Sequence, residues 1–221
     1  MKLALYLIPI LVVVVFLLIR AEILKERRQI YILKPISTLM VIAIALLSFL
    51  EPANTPAYTA GILVGLLLSL GGDVALMFPD NHKAFTVGLG LFLMAHIAYT
   101  VVFLMVGRFS GADVLSAVLL LIAGVGFYTL IKPNLGTMRI PVIVYIVVIS
   151  VMVNRAVSVL GGDALSRTQG LMVVMGAVLF YVSDIMLAAS RFWRLWRYNR
   201  ISLAFYYSGQ ILFALTASFF M

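Results

Sequence analysis

Charged residues and cysteine are scarce in this chain of 221 residues. Only 11% of the residues are charged, against about a quarter in soluble domains, and 64% are hydrophobic. With a mean hydropathy of +1.17, this composition excludes an ordinary soluble domain and indicates an integral membrane protein. Cysteine is absent, which excludes disulfide bonds and thiolate chemistry but does not indicate a compartment.

Eight apolar stretches are long enough to cross a hydrocarbon core of about 30 Å as helices. They cover approximately residues 3–19, 34–50, 58–78, 84–106, 113–131, 140–160, 168–190 and 201–220. Such continuous runs do not fit the alternating pattern of barrel strands, and lipid permits only helices or closed barrels. We therefore predict an all-α polytopic bundle of eight transmembrane helices, with residues 1–221 forming a single integral membrane domain. The first stretch ends in Arg20 without a small-residue cleavage site, so we interpret it as a helix and not a signal peptide.

The net charge of +8 comes from basic residues that are sorted between the two sides of the bundle. The connections after odd-numbered spans hold Arg20, Lys25, Arg27, Arg28, Lys83, Lys132, Arg139, Arg191, Arg194, Arg197 and Arg200. The opposite side holds Lys2, Arg108 and Arg167. The positive-inside rule then predicts cytoplasmic odd-to-even connections and both termini on the non-cytoplasmic side. We expect a bacterial inner membrane. Orientation and contact with anionic headgroups explain these charges, so we expect membrane lipid and no nucleic acid as a partner.

Two aspartates lie inside predicted spans, where a carboxylate costs about 2.5–3.5 kcal/mol at the bilayer centre. Asp73 stands in "LGGDVALM" near the inner end of the third span, and Asp184 stands in "YVSDIMLA" near the inner end of the seventh. Such a cost is tolerated only inside a bundle. Two carboxylates at matching depth indicate a functional pair, while the alternative is a structural salt bridge to a residue such as Lys34 or Arg155.

An internal repeat of four plus four spans in parallel orientation is a further prediction. An offset of 111 residues relates Asp73 to Asp184, and the same offset carries His96 onto Tyr207. In transporters with parallel repeats, the site lies at the interface of the two halves. Shared membrane composition is the alternative explanation for this weak similarity.

His96 is the third candidate catalytic residue, beside Asp73 and Asp184. It shares a helix face with Tyr99, three residues further on. The only other histidine is His82 in a predicted loop, so a zinc site with three histidines cannot be built. We expect no metal and no cofactor, with a mixed His/Asp/Asp metal site as the alternative. We expect these three side chains to face one polar cavity that opens toward the cytoplasmic leaflet.

Other polar and aromatic residues near the aspartates are candidates for substrate binding. A phosphate would be held by cations near the interface, for which Lys34, Arg155 and Arg191 are candidates. We favour Lys34 and Arg191, because both are expected at the inner mouth. The remaining candidates are Tyr99, Asn154, Tyr181, Ser183 and Tyr207.

Three segments, "GDVALM", "GLGLFLMAHIAY" and "YVSDIMLAASRF", resemble the signature segments of the YhhN-like membrane proteins, which include the lysoplasmalogenases. The resemblance covers essentially the whole chain, including the "LKP" opening of the second span. It implies hydrolysis of the vinyl ether bond of lysoplasmalogen, a lysophospholipid, to a fatty aldehyde and glycerophospho-ethanolamine or -choline.

The residues suit this chemistry independently of the resemblance. A vinyl ether is cleaved by protonating its β-carbon and adding water to the resulting oxocarbenium ion, which requires a positioned acid and a base. Two carboxyl groups in a site of low dielectric supply both, since one stays protonated while the other is ionised. No G-x-S-x-G element is present, which argues against ordinary ester hydrolysis. An intramembrane aspartyl protease and a small proton-coupled transporter are the alternative interpretations.

Overall fold

Eight α-helices make up most of the computed structural model, which describes residues 2–50, 55–78, 81–194 and 199–218. They are α1 (Lys2–Leu24), α2 (Arg27–Leu47), α3 (Pro56–Ala75), α4 (His82–Val106), α5 (Gly111–Ile131), α6 (Arg139–Ser158), α7 (Arg167–Phe192) and α8 (Ser202–Ser218). The described ranges contain no strand. Seven helices are long and apolar enough to cross a membrane, while the described part of α8 has 17 residues. The predicted all-α polytopic bundle is confirmed.

The connection between α1 and α2 is much shorter than the sequence suggests. Apolar runs alone place the ends of the first two spans at about residues 19 and 34, but α1 continues to Leu24 and α2 begins at Arg27. The polar residues between the runs are mostly good helix formers, so the helices extend beyond the hydrocarbon core. Lys25 makes the turn with a φ of 58°, in the left-handed region often used after a helix C-terminus. Lys34 therefore lies inside α2, 6% exposed, and not at its mouth.

Side-chain caps explain why several helices begin where they do. The Asn81 side chain accepts hydrogen bonds from the backbone N–H groups of Lys83 and Ala84 at the start of α4. Ser110 with Asp113 forms a capping box on α5, and Ser166 with Gln169 forms one on α7. These caps satisfy N–H groups that the first helical turn leaves free.

The bundle has a core of paired helices with α5 at its edge. α3 packs on α4 and α7 packs on α8, while α2 contacts α1, α3 and α8, and α6 contacts α4, α5 and α7. Aromatic side chains fill the centre, where Tyr99 and Phe103 of α4 contact Phe213 of α8. The four-plus-four repeat stays a prediction.

One end of the bundle, which we call the basic end, carries the odd-to-even connections. The described basic residues at or near it are Lys25, Arg27, Arg28, Lys83, Lys132, Arg139, Arg191, Arg194 and Arg200. Arg197 and most of the loop after α2, residues 51–54, lie outside the described residues. That the basic end is cytoplasmic remains a prediction.

The close contact between α7 and α8 leads to the first testable prediction. A Cβ at Gly209 would lie 2.8 Å from the carbonyl oxygen of Gly176. We expect Gly209→Ala to destabilise the protein by about 1–3 kcal/mol, because backbone must shift to accept the methyl group. Thermal unfolding of the purified protein in detergent measures this. Gly126→Ala on α5 is the matched control, since a Cβ there meets nothing within 4 Å. An unchanged melting temperature for Gly209→Ala would contradict the close contact.

Candidate functional site

A polar cavity with a volume of about 350 Å³ lies between α1, α2, α3, α4, α7 and α8. Because its lining residues come from the helix termini beside the odd-to-even connections, it lies at the basic end. Its charged and polar lining residues are Glu22, Lys34, Asp73, Ser183, Asp184, Ser190, Arg191, Arg200, Ser202 and Tyr206. The structure thus brings both candidate aspartates to one cavity, together with four basic or acidic side chains from other helices.

Asp73 on α3 is held by donors from two neighbouring helices. Its Oδ1 atom lies 3.5 Å from the Nζ atom of Lys34 on α2. The Thr38 hydroxyl of α2 and the Tyr206 hydroxyl of α8 each donate to its Oδ2 atom at 2.7 Å. Asp73 is only 2% exposed, so these partners replace the water that a buried carboxylate loses. The ion pair and both hydrogen bonds favour the ionised carboxylate.

Asp184 on α7 has a different set of neighbours. The Tyr145 hydroxyl of α6 donates to its Oδ2 atom at 2.5 Å. The Nε2 atom of His96 on α4 lies 3.6 Å from the same oxygen, which is too long for a hydrogen bond. His96 is fully buried, and its ring makes edge contacts with Tyr145 and Phe180. It lies behind Asp184 and is not part of the cavity lining.

The same sequence offset relates the partners of the two aspartates. Lys34, which pairs with Asp73, and Tyr145, which donates to Asp184, differ by 111 positions. Tyr99 donates a hydrogen bond at 2.8 Å to Gln210, its counterpart at the same offset of 111 residues. The contacts therefore recur with different chemistry, since a lysine at one aspartate stands where the other has a tyrosine.

A narrow apolar slot of about 60 Å³ adjoins the polar cavity between α4, α5, α6 and α7. Its apolar lining includes Phe85, Leu89, Phe92, Phe127, Val142, Ile146 and Ile149. Asp184 and Arg191 line both the slot and the cavity. Asp184 thus stands at the border between a polar and an apolar space.

Three of the other predicted binding residues lie at these two spaces. Ser183 lines the polar cavity, and Tyr181 lines the slot. Arg191 is exposed, and its guanidinium carbon lies 4.9 Å from the centre of the Phe85 ring. This cation–π contact holds the charge at the edge of both spaces.

The structure does not bring the other four predicted binding residues to the cavity lining. Tyr99 is buried in the bundle centre against Gln210, and Tyr207 donates to the backbone carbonyl of Lys34 at 3.1 Å. Asn154 and Arg155 lie at the opposite end of the bundle, in the last turns of α6. Arg155 there forms an ion pair with Asp113 at 3.0 Å. A buried carboxylate at the start of α5, where apolar content predicts only a loop boundary, meets the requirement for a partner that Arg155 has.

Several cavity residues were missed by the sequence interpretation. Tyr206 lines the cavity beside Asp73, whereas the offset of 111 residues selects its neighbour Tyr207. Thr38 stands one helical turn after Lys34, and Tyr145 is related to Lys34 by the offset, so both had a usable signal. Glu22 had none, because it falls in a connection predicted from apolar runs. No group of three or more metal-ligating residues occurs in the part of the chain that the structure describes.

Comparison with known proteins identifies relatives over most of the chain. The family model described as the YhhN family matches residues 29–217. The lysoplasmalogenases of Mycobacterium bovis and Mycobacterium tuberculosis are each 35% identical over 136 residues, or 59% of this chain and 49% of theirs. Lysoplasmalogenase TMEM86A of Bos taurus is 33% identical over 160 residues, or 71% of this chain and 64% of its own. The chain thus spans about half the length of the mycobacterial relatives. No solved structure matches.

The buried ion pair at Asp73 generates the second prediction. Replacing Lys34 by methionine leaves the Asp73 carboxylate without its cation, which should destabilise the protein by about 3–5 kcal/mol. Combining Lys34→Met with Asp73→Asn should restore part of that loss, because the two residues are in contact. Melting temperatures of the three variants in one detergent test this. Lys132→Met, at an exposed position, serves as control, and an equally small effect at Lys34 would refute the prediction.

Proposed function

The chain belongs to the YhhN family, and on that basis we propose that it hydrolyses the vinyl ether bond of lysoplasmalogens. The products would be a fatty aldehyde and a glycerophosphodiester of ethanolamine or choline. The names of the mycobacterial and bovine relatives support this reaction. The single observation that carries the proposal is the position of Asp184 where the polar cavity meets the apolar slot.

The two adjoining spaces match the form of a lysophospholipid. Its glycerophosphate part is polar, its chain is apolar, and the vinyl ether lies where they join. With the glycerophosphate in the cavity and the chain entering the slot, the vinyl ether would lie beside Asp184. Lys34 and Arg191 line the cavity and supply positive charge for the phosphate, Lys34 from within and Arg191 at the edge.

The unequal surroundings of the two aspartates suggest unequal roles. Asp73 has the Lys34 ammonium and two hydroxyl donors, which favour its ionised form. Within the described residues, no lysine or arginine forms an ion pair with Asp184, and Tyr145 is its hydrogen-bond donor. We therefore assign Asp184 as the general acid and Asp73 as the base. Two carboxyl groups with different environments can divide acid and base work in this way.

The proposed reaction consumes one water molecule. Asp184 donates its proton to the β-carbon of the vinyl ether, and an oxocarbenium ion forms at the α-carbon. Asp73 accepts a proton from water as the water oxygen bonds to that carbon, which gives a hemiacetal. The hemiacetal hydroxyl loses its proton and the glycerol oxygen gains one, so the carbon–oxygen bond breaks and the aldehyde forms. The two carboxyl groups return to their starting protonation states by proton exchange.

His96 would act through Asp184 and not on the substrate. It packs against both Asp184 and the Tyr145 ring behind the cavity lining. This contact supports a role in positioning the carboxyl group, with proton exchange during hemiacetal collapse as a second role. Tyr181 and Ser183 would contact the chain and the glycerol part, respectively, because they line the slot and the cavity.

We also propose that the basic end faces the cytoplasm of a bacterial inner membrane. The sorting of basic residues supports this orientation through the positive-inside rule. Substrate would then enter from the cytoplasmic leaflet, where the cavity lies.

A substrate panel tests the proposed reaction. Purified protein in detergent should release aldehyde from 1-alkenyl lysophospholipids without any ion gradient. The 1-alkyl analogues have no double bond to protonate, and 1-acyl analogues would require an ester hydrolase, so neither should be cleaved. Release of fatty acid from the acyl compound, or absence of aldehyde from the alkenyl compound, would refute the assignment.

The acid and base roles make the fourth prediction. Asp184→Asn and Asp73→Asn keep the shape of the side chains but remove proton transfer, a contribution of typically 10²–10⁴ in rate. We expect each variant to lose turnover by about that factor, measured as aldehyde release per folded molecule. The double variant should be scarcely worse than either single one, because residues of one catalytic unit are not additive.

Asp163→Asn is the matched control for this experiment. Asp163 is exposed at the opposite end of the bundle, where it pairs with Arg108, so its variant should keep normal turnover. Melting temperatures on the same preparations separate lost catalysis from lost folding. Near-normal turnover in either catalytic-site variant would rule out the paired-aspartate mechanism.

A further inference from the structure

Glu22 is an acidic side chain of the polar cavity that the proposed reaction does not use. It lies in the last turn of α1, and its side chain is 12% exposed. Its Oε2 atom lies 3.3 Å from the Nε atom of Arg200, which precedes α8. Both residues line the cavity that contains Asp73 and Asp184. A carboxylate in this position opposes binding of the phosphate that the nearby cations attract, unless the ligand brings a positive charge as well.

The two arginines beside the cavity differ in what they contact. Arg191 is exposed and packs on the Phe85 ring, with no carboxylate partner among the described residues. Arg200 is 39% exposed by its side chain and is occupied by Glu22. The cavity edge therefore offers two guanidinium groups and one carboxylate. This is the charge pattern complementary to a phosphate that carries an ammonium group.

We infer that Glu22 binds the ammonium group of a zwitterionic lysophospholipid headgroup and so determines headgroup specificity. The inference rests on the proposed function for the identity of the substrate. The phosphate would lie between Arg191 and Arg200, and the ammonium would take the place of Arg200 at the Glu22 carboxylate. The ligand then exchanges one ion pair for two, and no charge in the cavity is left without a partner. A headgroup without an amine would leave Glu22 facing the phosphate.

Binding of uncleavable substrate analogues tests this inference separately from hydrolysis. The probes are 1-alkyl-glycero-3-phosphoethanolamine and 1-alkyl-glycero-3-phosphate, which differ only in the ethanolamine. We expect Glu22→Gln to raise the Kd of the ethanolamine probe about tenfold, which corresponds to about 1.4 kcal/mol. The Kd of the phosphate probe should stay unchanged or fall. Arg191→Ala should raise both Kd values, since both probes carry the phosphate.

The matched control is Glu26→Gln, which removes the same charge from the turn between α1 and α2. Glu26 is absent from the cavity lining, so this variant should leave both Kd values unchanged. Equal changes for the two probes in Glu22→Gln would overturn the inference, because Glu22 would then act only by holding Arg200. Wild-type protein that binds both probes equally would overturn it as well.

Two further measurements keep the inference falsifiable. If Glu22→Gln does not fold, the double variant Glu22→Gln/Arg200→Gln removes both charges of the pair, and it too should lose the preference for the ethanolamine probe. Retained preference in that variant would refute the role of Glu22. Failure of the proposed function has a different signature, namely normal headgroup-dependent binding of the alkyl probes without aldehyde release from alkenyl substrates.

Discussion

The need to surround two carboxyl groups with donors inside an apolar bundle organises this structure. Asp73 joins α3 to α2 and α8 through Lys34, Thr38 and Tyr206. Asp184 joins α7 to α6 and α4 through Tyr145 and the neighbouring His96. An unpartnered carboxylate would be too costly in such a medium. The same contacts that make these residues tolerable therefore fix the relative positions of six helices and place both carboxyl groups at one cavity.

The two aspartates are equivalent in sequence position but not in chemistry. The offset of 111 residues that relates them also relates Lys34 to Tyr145. A cation at one position and a phenol at the other give one carboxylate an ion pair and the other a neutral donor. Whether the halves descend from a duplicated unit stays a prediction, but the differing partners are what an acid and a base require. Family membership and this inequality support the same proposed chemistry from independent directions.

The sequence predicted the parts of the structure that depend on strong local signals. Long apolar runs gave the helical bundle, and the high cost of a charge in lipid singled out Asp73 and Asp184. Apolar runs could not locate the true ends of α1 and α2, because interfacial polar residues extend both helices; Lys34 and Glu22 were misjudged for that reason. Arg155 was assigned a phosphate because its carboxylate partner, Asp113, is distant in sequence. The choice between Tyr206 and Tyr207 depends on the rotation of α8, which near-uniform apolarity does not specify.

The meeting of an apolar slot and a polar cavity at Asp184 also bears on how a turnover would end. Under the proposed reaction, the two fragments differ sharply in solubility: one is an oily aldehyde and the other a water-soluble phosphodiester. Each fragment would already be in the space that suits it when the bond breaks. The aldehyde could drain sideways into the leaflet while the phosphodiester diffuses into water, so neither exit would obstruct the other. Accumulation of one fragment would then inhibit the protein only through the space that this fragment occupies.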